Sequence, residues 1–369
     1  MGVNGVSIVI ATKGRVKLLG NLLESLVEPR KNYSGPTEVL LIDDSSENEQ
    51  KEIDVYCDMY DARRIFFGPS VSGKRNYGAE QARYEIVLFL DSDCLATPHI
   101  IEQHAELYSS EKIGAVAGPL EFTGHENWFW QSVKNSPYTI CFKMPYWDDT
   151  SVWGTTANFS VRKSAFEEIK GFDTTFPNKP GGEDVDLGLR LTKKGFIIRN
   201  TKEGLVYHDK ATWSAVKPMF RRCWYYGRAD VYVVDRHPDY SCQIPPRKLV
   251  LDFIALLFIA ISGAVLNPWC FVLMPIWLLV DWSVYSLIQM KYGFGKNDFL
   301  HEMVIILMMA VNELGYIWEC IVQGKISYIG KRTMFFDNQI KSVPDNAMRY
   351  IWQFIIQFVV LTGVITYLK

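Results

Sequence analysis

The sequence predicts an α/β head built on a mainly parallel, Rossmann-like mixed sheet, followed by an α-helical membrane region. Three observations carry this. Short β-branched apolar runs alternate with helical patterns through the first half of the chain. Apolar runs of about 20 residues, the length that spans a bilayer, occur only after residue 248. The charges divide at the same point: residues 249–369 hold 8 basic and 8 acidic residues, and the first 248 hold the other 31 and 33.

Each element follows in order. Val6 to Ala11 reads as a buried parallel strand, then polar Thr12-Lys13-Gly14-Arg15, then a helix carrying Leu18, Leu19, Leu22, Leu23 and Leu26. Glu38 to Ile42 is a second strand, ending in Asp43-Asp44-Ser45-Ser46, and Arg64 to Phe67 is a third. A helix covers Ser72 to Ala82, and the strand Glu85 to Leu90 ends in Asp91-Ser92-Asp93. Ligands bind beyond the carboxyl ends of such strands, where these three polar loops lie. Gly114 to Leu120 and Trp153 to Val161 read as further strands, and the aromatic-rich stretch Asn127 to Trp147 as a loop or lid. Gly182-Glu183-Asp184 opens a helix through Thr192; Phe196 to Arg199 and Gly204 to His208 are short extended pieces. Residues 211–235 are basic and aromatic, as an interface-hugging helix is.

This gives a head over 1–240 and a membrane domain over 241–369, with Pro245-Pro246-Arg247-Lys248 as the hinge. Spans are expected at 249–266, 269–290 and 350–368. The stretch 299–322 is interrupted by His301, Glu302, Asn312, Glu313 and Glu319. If it crossed, Lys325, Lys331, Arg332, Lys341 and Arg349 would lie outside, so the positive-inside rule favours an interfacial or re-entrant element there. With no leader-like run at the N-terminus, the head is expected in the cytosol, at the inner (cytoplasmic) membrane of a multi-pass protein. The net charge of −2 argues against a nucleic-acid partner. Seven scattered cysteines, none in C-x-x-C, argue against a disulfide framework or a zinc site.

Several groups of residues suit chemistry. Asp91 and Asp93, on a loop at a strand end, suit a hard divalent cation bridging diphosphate oxygens, although Asp-X-Asp is also a common turn and helix cap. Asp43 and Asp44 can accept hydrogen bonds from a base or ribose, or simply cap a turn. Glu183 and Asp184 stand at a helix N-terminus, whose dipole is expected to keep Asp184 ionised, and either is a candidate general base. His208 becomes a metal ligand only if it faces Asp93. Gly68 to Lys74 fits G-x-x-x-x-G-K, but Arg75 stands where a P-loop needs Ser or Thr, so an NTPase is set aside.

Taken together these residues resemble family 2 of the inverting glycosyltransferases, with the nucleotide-diphospho-sugar transferase (GT-A) fold. The resemblance covers about residues 6–235. It rests on Ser7 to Thr12, Ile42-Asp43-Asp44-Ser45-Ser46, Gly73-Lys74-Arg75-Asn76-Tyr77-Gly78 and Phe89-Leu90-Asp91-Ser92-Asp93. Gly171-Phe172-Asp173 and Gly182-Glu183-Asp184-Val185-Asp186-Leu187-Gly188-Leu189-Arg190 complete it. Ala11, where many relatives have Pro or Thr, is a small departure.

The resemblance implies a nucleotide-diphosphate sugar donor, UDP- or GDP-linked, held by Thr12, Arg15, Asp43, Asp44, Lys74, Arg75, Asn76, Asp91 and Ser92. It implies Mn²⁺ or Mg²⁺ on Asp91, Asp93 and His208, and Asp184, with Glu183 beside it, as the base that deprotonates the acceptor. Processive synthases carry Gln-X-X-Arg-Trp, which Phe220-Arg221-Arg222-Cys223-Trp224 does not match. The expectation is therefore addition of one sugar to a lipid-linked acceptor in glycan or exopolysaccharide assembly. A polyprenyl-phosphate sugar synthase or a processive synthase is the alternative; a transporter or an inactive nucleotide-sugar-binding partner is the non-enzyme one.

Overall fold

The computed structural model describes residues 5–177, 181–244, 246–292, 297–333 and 343–369. Pro245 of the expected hinge, and Lys296 and Lys341 of the charge argument, lie outside them. The chain packs as two compact units, residues 1–125 with 140–212, and residues 126–139 with 213–369.

In the first unit the strands are β1 (Val6–Thr12), β2 (Thr37–Asp43), β3 (Arg63–Phe66), β4 (Ile86–Asp91), β5 (Cys94–Ala96), β6 (Ile113–Ala117), β7 (Leu120–Thr123), β8 (Thr150–Ser151), β9 (Asn158–Arg162), β10 (Ile197–Asn200) and β11 (Val206–Asp209). Among the described residues an eight-stranded sheet runs β3-β2-β1-β4-β9-β6-β10-β8, and a small sheet runs β5-β11-β7. β3, β2, β1 and β4 are parallel, as the continuous apolar runs of β1, β2 and β4 favour; β9 is antiparallel to both β4 and β6. The register sets Thr12 level with Asp43, and Ala11 level with Asp91. The three polar loops therefore open side by side at one edge of the sheet.

Val9, Leu40, Ile42, Val87, Phe89, Phe159, Phe166, Phe172, Leu187 and Leu191 form a shared buried core. The helix Val71–Gln81 lies directly on the sheet at Gly78, where a Cβ would sit 2.3 Å from Val9 Cγ1. That close approach fixes Lys74 and Arg75, one turn earlier, over the strand ends.

Two expectations change. The strand expected over Trp153–Val161 begins only at Asn158, because Ser151 Oγ bonds the Trp153 carbonyl and the chain turns before re-entering the sheet. Asn127 to Trp147 is largely helical. Asn127 caps the helix Trp128–Lys134 by accepting from the Trp130 amide at 2.8 Å. Pro137–Ile140 and Cys141–Tyr146 continue as short helical turns.

The second unit holds, among the described residues, four helices long and apolar enough to cross a membrane: Lys248–Val265, Pro268–Lys291, Phe299–Val322 and Arg349–Leu368. Phe299–Val322 is one unbroken helix. The helix Val216–Arg236 runs parallel to it, with Cys223 beside Asn312 and Arg228 beside Glu319. The backbones nearly touch: a Cβ on Gly227 would lie 1.9 Å from the Asn312 carbonyl oxygen, and one on Gly315 would lie 2.3 Å from the Trp224 carbonyl oxygen. Arg228 Nε donates to Glu319 at 2.6 Å, and Tyr232 OH bonds the same carboxylate at 3.0 Å. Lys248 pairs with Asp252 and Asp281, and the Trp277 and Trp282 indoles donate to Asp252. These charges are thus paired within the unit.

Candidate active site

The site is assembled by the ends of β1, β2 and β4, the helix Val71–Gln81, β11, and the helix Glu183–Lys193. At the β1 and β2 ends, Lys74 Nζ reaches the Thr12 carbonyl and the Asp44 carboxylate, and Lys13 reaches Asp44 at 3.2 Å. Burial works against an ionised Asp44, but Lys74 and Lys13 outweigh it and hold the carboxyl below its ordinary range. Asp43 is fully buried, with Oδ1 accepting from the Ser45 amide and hydroxyl. Asp43 Oδ2 and the neighbouring Thr12 Oγ1 have no hydrogen-bond partner. Asp43 Oδ2 has Arg64 Nη1 at 3.9 Å, so Thr12 Oγ1 is the atom of the two that a ligand would complete.

Arg75 is the centre of the arrangement. Buried above the Phe172 ring, it lies 3.0 Å from Asp91 Oδ1 through one nitrogen and 3.2 Å from Glu183 Oε1 through another. It thereby ties the acidic turn after β4 to the start of the helix Glu183–Lys193. Asn76 is not brought to the pocket. Its amide donates to the Phe172 carbonyl and accepts from the Phe172 amide, so it fastens the Gly171-Phe172 turn instead of facing a ligand.

Asp93 and His208 do face each other, with Oδ1 and Nε2 3.3 Å apart. His208 sits on β11 directly opposite Cys94 on β5, so both side chains lie on one face of the small sheet. Asp93, Cys94 and His208 are all buried, with ligand atoms within 4.8 Å of one another. His208 Nδ1 lies 2.7 Å from the Asp209 carbonyl, a bond that orients the ring with Nε2 towards Asp93. A carboxylate oxygen and an oriented imidazole fit a divalent cation, and the nitrogen favours Mn²⁺ over Mg²⁺. Asp91 stands at the rim with its side chain about one-third exposed (35%), and Ser92 is buried in the turn between the two acids. The sequence reading missed Cys94, although it follows Asp93 directly. Arg15 also bonds Asp93, through Nη1 to Oδ2.

Gly182, with φ of +89°, caps the helix that begins at Glu183, and Asp184 Oδ1 accepts from the Val185 amide at 2.9 Å. The expectation that the helix dipole keeps Asp184 ionised fails. Burial first, and the Glu183 carboxylate second, raise it to about 7 against the opposing pull of Arg75. A dipole contributes a fraction of what desolvation removes. The outcome is a carboxyl that exchanges its proton near neutral pH, which suits acid–base work.

Comparison with known proteins agrees with this geometry. Residues 7–170 match the family model described as Glycosyl transferase family 2. A chondroitin synthase of Pasteurella multocida (strain Pm70) is 28% identical over 244 residues, covering 56% of this chain and 25% of that protein. The O-antigen biosynthesis protein RfbC of Myxococcus xanthus is 27% identical over 237 residues, covering 57% of this chain and 18% of that protein. The chain thus spans a quarter or less of these two relatives. The structure of a mannosyltransferase from Pyrobaculum calidifontis, in complex with GDP-Man and Mn²⁺, superposes with a TM-score of 0.54 at 14% identity, covering 85% of this chain and 87% of that one, and so shares the fold. With its parallel sheet, its acidic strand ends and this match, residues 7–170 are similar to glycosyl transferase family 2, on the fold that the mannosyltransferase shares, and apolar helices follow.

Proposed function

We propose that the protein is a membrane-bound inverting glycosyltransferase that moves a sugar from a UDP- or GDP-linked donor to a lipid-linked acceptor at the cytosolic face of the inner membrane, in glycan or exopolysaccharide assembly. The observation that carries this is Arg75, which holds Glu183, beside the proton-exchanging Asp184, next to the acidic turn of Asp91 and Asp93. In this reading Asp184 takes the acceptor proton as the new bond to the anomeric carbon forms and the bond to the diphosphate oxygen breaks. One displacement from the opposite face inverts the centre. Thr12 and Asp43 face the nucleotide, while Arg15 and Arg75 face the departing diphosphate. Asp93 and His208, with Asp91 at the rim, would hold a divalent cation, which when bound neutralises charge on that diphosphate.

Three spans and an interfacial Phe299–Val322 complete the reading. The charged helix Val216–Arg236 supports it, because it packs along Phe299–Val322 from Asn312 to Glu319 and shares the Arg228–Glu319 pair with it. Transfer assays of UDP- and GDP-sugars against a polyprenyl phosphate and a polyprenyl-diphosphate sugar, with Mn²⁺ or with EDTA, test the proposal. Product on the polyprenyl phosphate alone would favour the polyprenyl-phosphate sugar synthase; repeated addition would favour a processive synthase. No transfer from any donor would refute it.

A further inference from the structure

Arg15 is held at both ends. Its backbone is left-handed, with φ of +55°, and Gly14 before it is left-handed too, at +64°. A residue with a Cβ keeps that conformation only where its surroundings impose it. Here the Gly14 amide donates to Ser45 Oγ at 2.7 Å, and the Arg15 side chain ends on Asp93 Oδ2. The guanidinium is not sealed in, since its side chain is 45% exposed while that of Asp93 is 6% exposed.

Asp93 therefore has one oxygen against Arg15 and the other facing His208 Nε2. A cation that coordinates Asp93 and His208 must enter beside a fixed positive charge already bonded to the same carboxylate. Arg15 and the cation are rivals unless the guanidinium finds another anion. A diphosphate is such an anion, because its paired oxygens match the guanidinium fork.

We propose that Arg15 is a positioning residue that makes cation binding and donor binding depend on each other: it holds Asp93 against a divalent cation until a nucleotide diphosphate offers the guanidinium a new partner. This rests on the reading of Asp93 and His208 as cation ligands. The dependence must be reciprocal, so the cation tightens nucleotide binding by the same factor.

The test is Mn²⁺ binding to the full-length protein in detergent, followed by the electron paramagnetic resonance signal of free Mn²⁺, without nucleotide and with UDP or GDP. The wild type should bind Mn²⁺ roughly tenfold more tightly with nucleotide than without it. Arg15→Ala should bind Mn²⁺ alone several-fold more tightly than the wild type and lose most of the nucleotide-induced gain. Arg15→Lys, which keeps the charge but not the fork, should fall between them, and it decides the matter if the alanine variant does not fold. An Arg15 variant that binds Mn²⁺ alone no better than the wild type overturns the proposal. If Asp93→Asn leaves Mn²⁺ binding unchanged, the cation-site reading falls and takes the proposal with it; if only the Arg15 variants fail, the cation site stands.

Discussion

Replacing Asp184 with Asn separates the chemistry of this residue from its place in the fold. Asn keeps the shape and the bond from the Val185 amide but removes the titrating group. The wild-type carboxyl is raised from 3.8 to about 7. Between those values the folded chain keeps a proton that the unfolded chain has released, so this group subtracts stability as pH rises through the window, and the deficit persists above it. At roughly 1.4 kcal/mol per unit the shift amounts to a ceiling of about 4 kcal/mol. Asp184 as a residue is only half-buried, which brings the expected effect to about 1–2 kcal/mol. Asp184→Asn should therefore gain stability over the wild type between pH 5 and pH 8, a change of roughly 2–8 °C in their difference in melting temperature. Wild-type transfer should rise with pH through about 7. The variant should lose roughly 10²–10⁴-fold in rate while binding nucleotide with near-normal affinity. Transfer retained in Asp184→Asn refutes the assignment; if Glu183→Gln then loses it, Glu183 is the base.

Chelation by EDTA should abolish transfer and Mn²⁺ should restore it, and Asp93→Ala should resist restoration; full activity of that variant in EDTA would count against a cation. Arg222 stacks 3.9 Å from the Trp213 ring, and Arg221 lies over Tyr225 on the same helix. Reversing both arginines to Glu should reduce use of a lipid acceptor in anionic vesicles more than donor hydrolysis; equal losses would argue for a folding role. Gly227→Ala should cost about 1–3 kcal/mol, read as a lower melting temperature in detergent, because its Cβ meets the Asn312 backbone; an unchanged melt would mean that the two helices do not touch.

The strands and the acids at their ends were legible because β-branched runs buried on both faces leave a strong local pattern. Val6–Thr12, Thr37–Asp43 and Ile86–Asp91 fall where the sequence places them, within a residue or two. The small sheet was only partly legible: Cys94–Ala96 is three residues long, and its pairing with His208 joins positions 114 apart, which no local period records. Asn127–Trp147 reads as a loop or lid because its aromatics follow no clear stripe, yet Asn127 is an ordinary cap. Asn76 is a nucleotide-binding candidate by resemblance alone, and only the fold shows that Phe172 uses both ends of its amide. The state of Asp184 was misjudged because a dipole is visible in sequence and burial is not.

The close crossing at Gly227 and Gly315 also bears on how the protein is made. During synthesis the helix Val216–Arg236 emerges well before Phe299–Val322, and at roughly 5–20 residues per second it waits several seconds for its partner. Until then Arg228 has no Glu319, and the groove at Gly227 is open. A fragment cut near residue 240 to obtain a soluble head would keep that helix permanently in its waiting state, with a cleft shaped for a backbone that never arrives. Expression trials should therefore compare an end before Val216 with one after Thr333, since stopping between Arg236 and Phe299 leaves half of a helix pair.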